Sequence, residues 1–179
     1  MGSIREFTNG NPAVSMACIC IALDATAKIE LGGSTRKRCI QYVEKYLDII
    51  TMIGFGGAVL AVPGSCLHVL DPLHPKQTEN VTHIIYDAIR CSLIHEANLP
   101  FKVEFTKKSF FGIENSTFLI PINMVVALMA AVIVSPTNSN IKLDDSFGLI
   151  LKNERFPINQ LVGNASKLRI ILGLKEPSL

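Results

Sequence analysis

The chain contains no tryptophan, and aromatic residues fill only 7% of its 179 positions. Charge is scarce as well: Asp, Glu, Lys and Arg together supply 18%, against about a quarter in an average globular domain. Hydrophobic residues reach 49%, which excludes an intrinsically disordered chain. So much apolar side chain on so short a chain predicts burial between subunits as well as within one. The 17 Lys+Arg against 15 Asp+Glu leave a net charge of +2. That excludes a nucleic-acid binder working by bulk charge, and any RNA contact must come from a local patch.

A disulfide framework is absent too. The five cysteines, Cys18, Cys20, Cys39, Cys66 and Cys91, are odd in number and sit mostly among apolar neighbours, whereas secreted scaffolds use even counts in short, loop-rich chains. Cys66, His68, His74 and His83 lack a Cys-x2-Cys pair and zinc-ligand spacing, so no metal is expected. Gly54-x-Gly56-Gly57 lacks the Gly-Lys-Ser/Thr ending of a phosphate loop, and no cofactor is expected either. The stretch Ile4 to Gly10 is polar where a signal peptide would be apolar. Met1-Gly2-Ser3 is followed by Glu6 where a myristoylation signal has Ser or Thr. No apolar run is long and clean: Phe118–Val134 is interrupted by Pro121 and Asn123, and Ile49–Val62 by Gly54, Gly56 and Gly57, while a spanning helix needs about 20 apolar residues. Both read as core helices, and the chain as cytoplasmic with no membrane segment.

Periodicity organises what is present. Asn11-Pro12 starts a helix of about Ala13 to Glu30 that Gly32-Gly33 stops. Val14, Ala17, Cys18, Ile21, Ala22 and Ala25 mark one face and Met16, Cys20, Leu23 and Ala27 a second, which predicts a helix buried nearly all round. Ser34 caps a second helix, about 35–50, with Ile40, Val43, Leu47 and Ile50 inward and Arg36, Lys37, Arg38, Gln41, Glu44 and Lys45 outward. Glycines and prolines make 51–76 a connection. A third helix, about Thr78 to Ala97, carries the stripe Val81, Ile84, Ile85, Ala88, Ile89 and Leu93. Phe101, Val103 and Phe105 then alternate with Lys102, Glu104 and Thr106, a strand that turns at Lys107-Lys108 and returns through Phe110 to Ile113. Pro121 opens a fourth helix ending at Ser135-Pro136; Phe147–Leu151 reads as a strand and Pro157–Leu172 as one or two short helices. The fold expected is a single mainly α domain, 1–179. It is a four- to five-helix bundle with a small β-hairpin (about 101–113) after the third helix and a C-terminal extension (about 137–179).

The third helix concentrates the chemistry. Arg90 and His95 are five apart, so on an α-helix they diverge by about 140° and flank a common edge. Asp87, Cys91 and His95 line that edge at steps of four. Spacing alone describes an exposed edge with an Asp87–Arg90 ion pair worth a few tenths of a kcal/mol. Asp24, inside the apolar first helix, needs a partner, either in a core network or in Arg90.

The run Ile84-Ile85-Tyr86-Asp87-Ala88-Ile89-Arg90-Cys91-Ser92-Leu93-Ile94-His95-Glu96 resembles the signature helix of the HEPN superfamily, Arg followed after four to six residues by His. The resemblance covers about Ala13 to Ser135, with two helices before the motif and an apolar one after it. Cys91 stands where the family often has Asn, Asp or His. Many members are metal-independent endoribonucleases of toxin–antitoxin and phage-defence systems, in which two motif helices meet across a dimer. The resemblance implies His95 as the general acid–base at the RNA 2′-hydroxyl and Arg90 as the holder of the scissile phosphate. Tyr86, Asp87 and Cys91 would support the pair, and Lys102, Lys107 and Lys108 would contact RNA. It implies a homodimer whose interface includes the third helix, with an inhibitory protein as a further partner. The competing class is a non-catalytic interaction or scaffold protein on the same bundle, one that binds a partner or a nucleotide.

Overall fold

The computed structural model describes residues 2–56, 68–74, 76–90, 102–151 and 153–175. Helix α1 spans Gly2–Thr8, α2 Pro12–Leu31, α3 Thr35–Lys45 and α4 Leu47–Gly54. Strands β1 (His68–Leu70) and β2 (Thr78–Asn80) precede α5 (Val81–Ile84), which continues as a π-helix over Ile85–Arg90. Strands β3 (Lys102–Thr106), β4 (Gly112–Glu114) and β5 (Thr117–Pro121) lead into α6, Ile122–Val134. After it come β6 (Gly148–Leu151), β7 (Glu154–Pro157) and α7, Ala165–Leu172.

This is a mixed α/β fold, not the four- to five-helix bundle expected: seven α-helices stand beside three small sheets among the described residues. The reason lies in short strands that periodicity resolves poorly. β1 and β2 pair antiparallel, as do β6 and β7. In the central sheet the order is β3-β5-β4, so the hairpin expected over 101–113 does not form. β3 runs parallel to β5, Lys102 opposite Thr117, and the hairpin partner of β4 is β5. Asn115 and Ser116, with φ of 48° and 62°, make the tight turn between β4 and β5; two positive-φ residues suit the twist of a two-residue hairpin loop. Phe118, Leu119 and Ile120 are all buried, a continuous apolar run that suits a central strand.

Helix α6 sets the packing. Its sequence, INMVVALMAAVIV, holds no charge, and nine of its residues are buried. Such a helix must be covered on nearly every side. α4 crosses it closely because Gly54 faces it: a Cβ there would stand 2.7 Å from Met124 Cε and 3.5 Å from Ala127 Cβ. Helix α2 covers a second side with Met16, Ile19, Leu23 and Ala27. Yet α2 is not buried nearly all round, since Val14, Ile21 and Ile29 face outward. Helix α1, in the stretch read as merely polar, docks through reciprocal bonds: Ser3 Oγ donates to Ser15 O (3.0 Å) and Ser15 Oγ to Ser3 O (2.8 Å).

The second expected helix is two, broken at Tyr46 (φ −111°, ψ 16°). Two buried groups hold the break. Arg169 of α7 donates to the Lys45 carbonyl (3.2 Å) and, through Nε, to Asp48 (2.6 Å). The Tyr46 hydroxyl donates to Glu30 (3.2 Å), whose carboxylate also accepts from Lys45 and Ser135. Tyr42 donates to the Ala131 carbonyl (2.9 Å). Burial, then the neighbouring Tyr46, raises the Tyr42 phenol above its ordinary range. Burial, then the Glu30 charge, pushes Tyr46 up to about 12.

These phenols link stability to alkaline pH. The unfolded chain gives up its phenolic protons near pH 10 and the folded chain later, so stability present below pH 10 is lost as pH rises toward 12. Urea unfolding at stepped pH should show the midpoint falling over that window, with a shallower fall in Tyr42→Phe/Tyr46→Phe. Equal slopes in both proteins would contradict the assignment.

Candidate functional site

The segment picked out by its chemistry is also the one with unusual backbone. Asn80 caps α5: its Oδ1 accepts from Thr82 N (3.0 Å) and Thr82 Oγ1 (3.0 Å). After one α-helical turn the winding loosens into the six-residue π-helix Ile85–Arg90. Val81, Ile84, Ile85 and Ile89 are buried and fix the segment on the core. A π-helix bonds residue i to i+5 and appears frequently at functional sites.

Arg90 is the last residue of the π-helix; its side chain, and residues 91–101 with Cys91 and His95, lie outside the described residues. Asp87 is placed. Arg36 of α3 reaches it with Nε at 3.3 Å and Nη2 at 2.9 Å. That hydrogen bond, then the Asp87 charge, raises the Arg36 pKa above its ordinary value. The guanidinium also stands 6.0 Å from the centroid of the buried Tyr86 ring, within reach of a cation–π attraction. Tyr86 and Asp87 thus share one cation. Sequence reasoning had set Arg36 aside as a solvated residue of the second helix.

Asp24 resolves as structural. Its carboxylate accepts from Arg38 Nε (3.1 Å), Arg38 Nη2 (2.7 Å) and Cys39 Sγ (3.4 Å). This clamp ties α2 to α3, the helix that carries Arg36. Of the expected RNA contacts, Lys102 and Lys107 are exposed. Lys108 pairs with Glu114, its Nζ 5.9 Å from the Phe110 ring. Among the described residues no group of three His, Cys, Asp or Glu side chains could hold a metal ion. His74 Nδ1 meets Asp71 at 2.7 Å and His83 Nδ1 meets Glu79 at 3.2 Å, and Cys66 lies outside the described residues. Gly54 serves helix packing rather than a phosphate loop. No helix among the described residues is long and apolar enough to cross a membrane.

Both partners of the Arg36–Asp87 pair are substantially exposed, so its value should be small. A double-mutant cycle with Arg36→Ala and Asp87→Ala, read by urea unfolding, should return a coupling below about 1 kcal/mol. A coupling of several kcal/mol would mean that the pair is buried.

The family model described as Rv1289 matches residues 1–178. No curated protein and no solved structure matches the chain.

Proposed function

The chain belongs to the Rv1289 family; on its Arg90-to-His95 motif, and not on that membership, we propose that it is a HEPN-like, metal-independent endoribonuclease. In this reading it acts as a cytoplasmic dimer in a toxin–antitoxin or phage-defence setting. The observation that carries the reading is the π-helix that ends on Arg90. π winding recurs at functional sites, and this one ends at the first residue of the Arg90–His95 motif. The bundle fold lends no support, because the chain does not adopt it.

The chemistry divides between the two residues. His95 takes the proton from the ribose 2′-hydroxyl, an exchange suited to a group that titrates near neutrality. The 2′-oxygen attacks phosphorus, the bond to the 5′-oxygen breaks, and that oxygen takes a proton from water and leaves as a hydroxyl. The products are a 2′,3′-cyclic phosphate and a 5′-hydroxyl. Arg90 meets the charge that builds on the non-bridging oxygens, a task that fits a guanidinium fork. Arg36, through Asp87 and Tyr86, positions the turn. Cys91 lies next to Arg90 in this scheme, and Lys102 and Lys107 contact RNA; Lys108 joins them on leaving Glu114.

One observation favours the non-catalytic reading, a domain that binds a partner or nucleotide: Asp87, on the motif edge, is already neutralised by Arg36. The two readings part on a single experiment. Purified protein is incubated with tRNA and mRNA in EDTA, alongside His95→Ala and Arg90→Ala. Cleavage is expected from the wild type, with each variant slower by about 10²–10⁴-fold at an unchanged melting temperature. Intact RNA with the wild type, after any co-purifying inhibitor has been removed under denaturing conditions and the protein refolded, would overturn the nuclease reading.

A further inference from the structure

We propose that the outer face of α2 is the seam of an antiparallel homodimer. Met16, Ile19, Cys20, Leu23 and Ala27 turn inward and are buried. The opposite side is no less apolar. Val14 is 51% exposed, Ile21 59% and Ile29 74%, with Cys18 half-buried and Ala25 exposed between them. Steps of three and four put these residues on one stripe, about 22 Å long at 1.5 Å per residue. Single exposed apolar residues such as Ile150 and Ile170 need no explanation, but a contiguous stripe marks an interaction surface.

Charge identifies the occupant. Of the three charged residues of α2, Asp24 is taken by Arg38 and Glu30 by Lys45, Tyr46 and Ser135. That leaves Lys28 as the exposed charge on the helix. A face whose helix presents a single exposed charge suits neither a polyanion nor a basic peptide. It suits itself, apolar against apolar about a dyad. With the two helices antiparallel about Ile21, residue 28 of one copy lies opposite residue 14 of the other. Lys28 then approaches the start of the facing α2, where Glu6 is held beside the helix by Asn11 Nδ2 at 3.0 Å. The same arrangement sets the positive end of each helix dipole beside the negative end of its mate. Ala17, Cys18, Ala22 and Ala25 are small enough to let the axes close to about 8–10 Å. A helix about 30 Å long and 10–12 Å across covers less than the roughly 800 Å² per partner of a standard interface, which makes the dimer concentration-dependent. This seam on α2 is separate from the third-helix interface that the HEPN resemblance implies, and it does not depend on RNA cleavage.

Sedimentation velocity from about 1 to 100 μM, a range that brackets micromolar affinity, tests this. The wild type should rise from 19.5 kDa toward twice that mass. Ile21→Glu should remain monomeric with unchanged circular dichroism and melting temperature, whereas Ile170→Glu, at an exposed position of α7, should dimerise like the wild type. Lys28→Glu should raise the dissociation constant at least tenfold, and adding Glu6→Lys should restore it. Ala25→Glu serves in place of Ile21→Glu if that variant misfolds. Wild type that stays at monomer mass, or stripe variants that dimerise normally, would overturn the proposal. Failure of the charge swap to rescue would overturn the antiparallel arrangement.

Discussion

Everything in this fold answers to the need to bury α6. A thirteen-residue helix without a charge cannot face water on any broad side, so α2, α4 and β5 gather on it. Gly54 permits the approach of α4, and Ser135 at its C-terminal end donates into the Glu30 cluster that also holds Lys45 and Tyr46. From there the order spreads outward. Arg38 clamps α3 to α2 through Asp24, and α3 then delivers Arg36 to Asp87 on the π-helix. The candidate site is thus positioned by the core two contacts away.

Much of this was legible in the residues. Pro12 and Gly32-Gly33 bounded α2 to within a residue or so, and Pro121 and Pro136 did the same for α6, because proline and glycine act through local backbone geometry alone. The sheets were less legible. Strands of three to five residues carry too few alternations to declare their partners, and the pairing of β3 with β5 across β4 is a tertiary choice. A local signal for the true hairpin did exist in Asn115-Ser116, a pair suited to positive φ. The break at Tyr46 was hidden because the groups that hold it, Arg169 and Glu30, are remote in sequence.

The site divides in the same way. The Arg90–His95 spacing can be read along one segment, so a family resemblance could pick it out. Arg36 lies 51 residues from Asp87 and looked like any outward basic residue of an amphipathic helix. The outer face of α2 was misread for a related reason: an apolar side chain in sequence says that burial is favourable, not whether the same chain or a second copy provides it. The π winding has no sequence signature strong enough to announce it.

The central claim is that a 2′-hydroxyl, activated by His95, is the nucleophile. Its most direct test is a pair of RNAs in EDTA, one natural and one 2′-O-methylated throughout, followed by mass analysis of the ends. The account predicts cleavage of the natural strand to 2′,3′-cyclic phosphate and 5′-hydroxyl ends, with the methylated strand intact. Cleavage of both strands, or ends carrying a 5′-phosphate, would contradict it.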